Sequence, residues 1–304
     1  MASGTEIAER AMRLHEVAGG VDVARSYPLL VEGRVPPPLF DALLESVRGY
    51  LNETLRIAFP DRRFSDEDDP IATHRDDVLD LPNRTPNGLI LAKRETCAAY
   101  DGVHACVVSI AERIDLLRHV RSVQLPICVR TVAGAADRGA DRRPLATTKF
   151  HSDVWGGELP ETLMVFIPVL GATEVGIEFR EPDALFPDEF LRPRADYSEG
   201  EHLLRGSRPY AIDLRPGHVY LTDPLLLHRT VRRSPKGMRL SIDFRFRPLT
   251  PAPGDIAFPT DRLRSYVEPE VWIDVGRGST LSCDLGIEQP DVGGGASPYR
   301  VVPG

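Results

Sequence analysis

The chain has 304 residues, with 45 acidic and 37 basic side chains, a formal net charge of −8, 42% apolar and 27% charged residues. That profile fits a globular protein with a sizeable core, and an acidic balance without a basic stripe argues against nucleic acid and anionic membrane as partners. The N-terminus MASGTEIAERAM lacks the apolar centre of a signal peptide, and the longest apolar run, Leu163 to Ala172, is short for a membrane span and contains Pro168. Four cysteines (Cys97, Cys106, Cys128 and Cys283) have no CxxC spacing, so a reducing, cytoplasmic location is expected.

The first third is predicted to be mainly helical. Ser3 with Glu6 fits a capping box for a helix reaching about Val17, closed by Gly19 and Gly20. Pro36, Pro37 and Pro38 precede a stripe at helical spacing, Leu39, Leu43, Leu44, Val47 and Leu51, and a third helix carries Val103, Val107, Ile110, Ile114 and Leu117. Between them lie an acidic loop, Pro60 to Pro70, and a Pro86-Asn87-Gly88 turn that suggests a hairpin. After Arg121 the period changes to that of strands: Leu125–Val132, Thr147–Val154, Leu163–Leu170, Val175–Arg180, His218–Thr222 and Met238–Phe246. Short strands separated by turns argue for a sandwich or jelly roll, mainly β with flanking helices. Helical support over 1–121, a jelly-roll core over 122–250 and an extension over 251–289 would form one domain, with 182–208 as an insertion or lid and 290–304 as a disordered tail.

His151-Ser152-Asp153 is the most informative stretch. On a strand, residues two apart share a face, so this imidazole and carboxylate can converge. His228 follows a later strand, and two histidines with one carboxylate make the facial donor set that binds iron(II) with sites left open. Eleven residues on, Arg239 and Ser241 again share a face; arginine offers a rigid fork to a carboxylate and serine one more hydrogen bond.

This pattern of HxD, distal His and downstream RxS resembles the non-haem iron(II), 2-oxoglutarate-dependent dioxygenases, in particular the phytanoyl-CoA-dioxygenase-like group, over roughly Leu125 to Arg247. The resemblance implies a double-stranded β-helix, iron(II) held by His151, Asp153 and His228, and 2-oxoglutarate and O2 as co-substrates. It implies that Arg239 and Ser241 grip the distal carboxylate of 2-oxoglutarate, with Arg130 and Thr230 as further candidates in that pocket. Arg130 is equally well read as half of a structural ion pair. Trp155, two residues beyond Asp153, would wall the substrate pocket if the strand continued. His202 and His218 have no partner at a useful spacing and read as structural or exposed. Because Asp153 is present, hydroxylation, ring closure or desaturation is expected rather than halogenation.

The block HSDVWGGELPETLMVFIPVLG is similar to segments of oxygenases from sugar and aminoglycoside antibiotic biosynthesis, which suggests a small polar substrate such as an aminocyclitol or sugar. Asp66, Glu67, Asp68, Asp69, Glu158, Glu161 and Glu178 would attract a cationic one, although acidic loops are commonly solvated surface. The competing readings are a dioxygenase acting on an amino acid, a cupin-like metal protein that does not use 2-oxoglutarate, and a binding module without activity.

Overall fold

The computed structural model describes residues 3–65, 67–135, 141–171, 173–183, 187–250, 265–289 and 297–304. The first helix, α1 (Ser3–Val17), is followed by a hairpin of β1 (Asp22–Tyr27) and β2 (Leu30–Arg34). Prolines then occupy the first turn of α2 (Pro37–Ala58), where a missing N–H costs nothing, and Leu43, Val47, Leu51 and Leu55 form its buried stripe. Two short helices, α3 (Pro70–Thr73) and α4 (Arg75–Leu79), lead to β3 (Leu89–Ile90) and to α5 (Cys97–Arg113), which packs on α2.

The strands that follow are β4 (Val120–Leu125), β5 (Cys128–Ala133), β6 (Leu163–Leu170), β7 (Val175–Glu181), β8 (Arg208–Pro209), β9 (His218–Thr222), β10 (Leu227–Arg232), β11 (Met238–Pro248) and β12 (Ser265–Val267). A short helix, Pro269–Asp274, precedes the terminal pair β13 (Ser279–Cys283) and β14 (Tyr299–Pro303). The large antiparallel sheet runs β1-β2-β9-β6-β11-β4-β12, with β5 joining β3 to β11; a second sheet runs β10-β7-β8.

Burial on the two faces of the large sheet explains the composition of its strands. In β6, Leu163, Val165, Ile167 and Val169 join α2 and α5 in the main core, while Met164 and Phe166 join a second cluster with Ile177 and Phe179 of β7. Both faces are covered, so LMVFIPVL is apolar throughout. On β11, Met238, Leu240, Ile242, Phe244 and Phe246 meet the helical layer, and Arg239, Ser241, Asp243 and Arg245 occupy the opposite face. Trp272 is fully buried in the helical layer: its ring packs against Phe244, and its carbonyl accepts from His104 Nε2 at 2.8 Å.

Several expectations need correction. The predicted strand Leu125–Val132 is two strands divided at Pro126, and the hairpin at Asp22–Arg34 went unread. Its first strand shows only exposed and half-buried residues, so it carries no clean apolar alternation. Thr147–Val154 is not a strand; it contributes a single bridge, His151 to His228. Segment 182–208 holds a short helix, Pro187–Phe190, and a 3-10 turn, Tyr197–Leu204. Residues 290–296 of the expected disordered tail lie outside the described residues. Beyond them, Tyr299–Pro303 pairs with Ser279–Cys283, and Tyr299 and Val301 pack on the main core, which orders the chain end. Among the described residues, no helix is long and apolar enough to cross a membrane.

Asp101 on α5 ties the terminal pair to the helical layer, because its carboxylate accepts the Leu281 N–H at 3.2 Å. Burial raises its carboxyl to about 6, with that hydrogen bond opposing. A raised folded-state value contributes stability at low pH that is lost as pH rises through about 6. Asp101→Asn therefore gains melting temperature relative to the parent between pH 4 and pH 7, measured by thermal unfolding at both; a difference that stays constant contradicts this assignment.

Candidate metal centre and anion pocket

The HxD motif works here through a turn rather than a strand. His151 makes a two-way backbone bridge with His228, N–H to carbonyl at 2.9 and 2.8 Å, which sets the two rings 4.2 Å apart. Ser152 is extended and donates its hydroxyl to Pro224 O at 2.7 Å, and the chain then enters a 3-10 turn at Asp153 (Asp153–Gly156). That turn brings Asp153 back beside His228, with Oδ1 3.8 Å from Nε2. The donor atoms of His151, Asp153 and His228 all lie within 4.8 Å of one another.

The orientation of each imidazole is fixed from behind. Nδ1 of His151 donates to Lys149 O at 2.9 Å and Nδ1 of His228 to Leu226 O at 3.0 Å, so each ring keeps Nε2 as its free donor. Burial, with His228 adding to it, lowers His151 to about 3, so its imidazole is neutral near neutral pH. Two imidazoles, each presenting Nε2, and a carboxylate clustered in this way suit a divalent transition metal of the iron(II) kind.

Arg245 supports the carboxylate. It reaches Asp153 at 3.3 Å, Glu158 at 2.8 Å and Asp243 at 3.6 Å, and Asp243 in turn holds Arg130 at 2.9 Å. Tyr266 closes the chain by donating to Glu158 at 3.1 Å. Arg130, a candidate co-substrate contact in the sequence, lines the cavity but is held in this ion pair and by Asn87 O at 3.1 Å.

Arg239 differs from both. It is buried, its contacts are the carbonyls of Val175 and Gly176 at 3.1 Å and the face of Phe166, and its Nε has no hydrogen-bond partner among the described residues. Burial lowers it to about 9, and nearby Arg130 adds to the effect. Ser241 Oγ, two residues along the same face, is also buried without a partner. Thr230 lines the same cavity and meets the Thr147 hydroxyl at 3.3 Å. A buried guanidinium without a carboxylate is costly unless an anion completes it. Triad, Arg239 and Thr230 together line one cavity of about 270 Å³, whose apolar wall is Met164, Phe166, Ile177 and Phe179.

Trp155 does not line this cavity. Because the chain turns at Asp153, the indole points into a separate cluster with Phe190 and Tyr197 and donates to Phe190 O at 2.9 Å. An added Cβ at Gly200 would sit 2.3 Å from that ring, which accounts for glycine there. Tyr197, unread in the sequence, stacks on His151 at 4.3 Å and 12°. His202 meets Glu189 on the surface and His218 binds Glu32 at 2.8 Å, both away from the cavity. Of the seven acids expected to draw a cation, five are already held: Glu158 by Arg245, Glu161 by Arg247, Glu178 by Arg229, Asp68 by His74 and Asp69 by Arg48; Asp66 lies outside the described residues.

No family model matches the sequence, and no curated protein matches it either. Among solved structures, the chain is similar to the non-haem α-ketoglutarate-dependent carbocyclase SnoK from nogalamycin biosynthesis, at 12% identity and TM-score 0.41 over 87% of this chain and 98% of that one. It is similar to AviO1 from Streptomyces viridochromogenes Tue57, at 13% identity and TM-score 0.41 over 83% and 99%. It is also similar to an N-substituted L-amino acid dioxygenase from Burkholderia ambifaria AMMD, at 15% identity and TM-score 0.37 over 77% and 86%.

Removing Arg245 takes the shared cation from half-buried Asp153 and from buried Glu158 and Asp243. Arg245→Met is expected to destabilise the protein by about 3–5 kcal/mol, the usual cost of breaking a buried pair from one side. Chemical denaturation measures it, and a change under about 1 kcal/mol, the range of exposed pairs, would show that the network is solvated.

Proposed function

We propose that the protein is an iron(II)- and 2-oxoglutarate-dependent oxygenase acting on a small polar molecule. The observation that carries this reading is one buried guanidinium, Arg239, without a carboxylate of its own, in the same cavity as two imidazoles and a carboxylate within 4.8 Å. The donor set suits iron(II), and the unsatisfied Arg239 Nε and Ser241 Oγ suit the distal carboxylate of a dicarboxylic keto acid. The two sheets flanking this cavity are read as the halves of a double-stranded β-helix supported by α2 and α5.

In this reading His151, Asp153 and His228 hold the metal, and Arg239 and Ser241 anchor the co-substrate, with Thr230 beside them. Bound there, iron(II) with 2-oxoglutarate and O2 supplies oxidation of an unactivated C–H bond, the keto acid leaving as succinate and carbon dioxide. The protein's own residues do the rest. Lys149 O and Leu226 O keep both imidazoles in the ligating tautomer, Arg245 steadies the Asp153 carboxylate, and Phe166, Ile177 and Phe179 keep water from the reacting face. The likeness of the HSDVWGGE block supports a sugar-like or other natural-product intermediate as substrate. A reducing cytoplasm suits the four free thiols.

Anaerobic titration of the full chain with iron(II) and 2-oxoglutarate tests this, through the visible charge-transfer band of the chelate. The band is expected in the parent and absent in His228→Ala. Arg239→Met should keep the iron and weaken 2-oxoglutarate roughly ten- to a hundredfold, the worth of a hydrogen bond to a charged group. Iron binding without a band in the parent would sink the assignment and favour a cupin-like metal protein.

A further inference from the structure

The imidazole of His151 is braced by more than the hydrogen bond from its Nδ1 to Lys149 O. The His228 ring lies 4.2 Å away at a tilt of 52°, and the Tyr197 ring lies 4.3 Å away at 12°. The hydrogen bond holds one edge of the imidazole, but the terminal torsion of a histidine is broad, so the ring can still swing about that edge. A ring lying flat against it removes this freedom, and of these two neighbours only Tyr197 lies flat.

Tyr197 is anchored in turn. Its N–H donates to Pro144 O at 3.0 Å, and the same carbonyl accepts from Lys149 Nζ at 3.3 Å. Lys149 Nζ also pairs with Asp196 at 2.7 Å, and Asp196 caps the 3-10 turn Tyr197–Leu204 by accepting the Ser198 N–H at 2.8 Å. These contacts close a circuit: His151 to Lys149 O, Lys149 Nζ to Asp196, and Tyr197, the next residue, back to the His151 ring. The ion pair is partly exposed and holds little alone. Its use is to tie the residue that accepts from the imidazole to the residue that stacks on it. Tyr197 is itself buried in the cluster of Trp155 and Phe190. At Gly156 an added Cβ would sit 2.9 Å from Tyr197 Oη, so glycine there leaves room for the end of the ring.

We propose that Tyr197 is a positioning residue: it holds the plane of the His151 imidazole, so that Nε2 stays among the donor atoms of Asp153 and His228. The proposal rests on the reading of these three residues as metal ligands. A metal-ligating histidine is ordinarily oriented by a hydrogen bond at its other ring nitrogen. Here a stacked face doubles that bond, and an unbraced ring would have to be ordered when the metal arrives, which costs affinity. Tyr197 also lines the cavity of the triad. The segment between β7 and β8 that carries it therefore joins the wall of the substrate space to a ligand.

The probe is manganese(II), titrated calorimetrically into the full chain. Tyr197→Leu, which keeps apolar bulk but no flat face, is expected to weaken manganese(II) about two- to tenfold, the worth of one stacked pair. Tyr197→Phe, which keeps the face, should retain the parent affinity. The rise in melting temperature at a fixed excess of manganese(II) should shrink in Tyr197→Leu and not in Tyr197→Phe. A Tyr197 that only fills the core would lower the melting temperature of the metal-free protein and leave the affinity alone. Where Tyr197→Leu does not fold, Asp196→Ala cuts the circuit outside the buried cluster and should weaken manganese(II) about twofold. Parent affinity in Tyr197→Leu, or in Asp196→Ala in its place, overturns the role, as does an equal loss in Tyr197→Phe. A parent that binds no manganese(II) sinks the reading of the triad as well, and is thereby told apart from a failure confined to Tyr197.

Discussion

The two-residue period of one strand organises the molecule. β11 sits between β6 on one side and β4 and β5 on the other, so its two faces are committed to different environments. Met238, Leu240, Ile242, Phe244 and Phe246 close the core beneath α2 and α5, and the alternate residues must then enter the space between the sheets. In that space only a polar set can be of use, and Arg239, Ser241, Asp243 and Arg245 divide the work. Arg239 Nε and Ser241 Oγ keep no hydrogen-bond partner among the described residues, whereas the last two join Arg130, Asp153 and Glu158 in a closed network. Shifting the register by one residue would exchange core for site along the whole strand.

A second constraint reaches the triad from the N-terminus. Asp223, four residues before Leu227 opens β10, is fully buried and accepts from Arg10 at 3.1 Å and Arg13 at 3.4 Å, both on α1. Arg10 and Arg13 also donate to Pro160 O and Glu161 O, at 2.9 and 3.0 Å. The first helix thus clamps the two loops that follow Asp153 and precede His228. Pro224 O, the next residue's carbonyl, accepts both the Ser152 hydroxyl and the Asp153 N–H. The geometry of His151, Asp153 and His228 is therefore set from about 200 residues away in sequence, by a buried salt bridge that breaks only at a large cost.

Much of this was legible before the fold was known, and the residues show why some was not. The helices were readable because α2 and α5 carry long stripes of one period, and β6, β9 and β11 because their apolar runs are uninterrupted or alternate strictly. His151, Asp153, His228 and Arg239 could be named from residue type and spacing, and they meet in one cavity. The route to that meeting was misread: strand periodicity put Asp153 and Trp155 on one face, whereas a 3-10 turn sends the carboxylate inward and the indole to another cluster. Tyr197 gave no local signal and Glu158 was read as an acid that draws a cation, because what makes them matter is contact across 46 and 87 residues, with His151 and Arg245. Arg245 was available, since Arg239-Ser241-Asp243-Arg245 is a polar alternation on a strand whose other face is wholly apolar.

The two tryptophans happen to divide the molecule between them. Trp272 lies fully buried against Phe244 in the helical layer, and Trp155, equally buried, lies two residues from Asp153 on the other side of the large sheet. Each indole is thus a built-in optical label for one half, needing no dye and no added cysteine. Light emitted by the first follows melting of the helices, and light emitted by the second follows changes in the turn that carries Asp153. A protein with either one replaced by phenylalanine reports on a single compartment, so the order in which the support and the site come apart is open to direct observation.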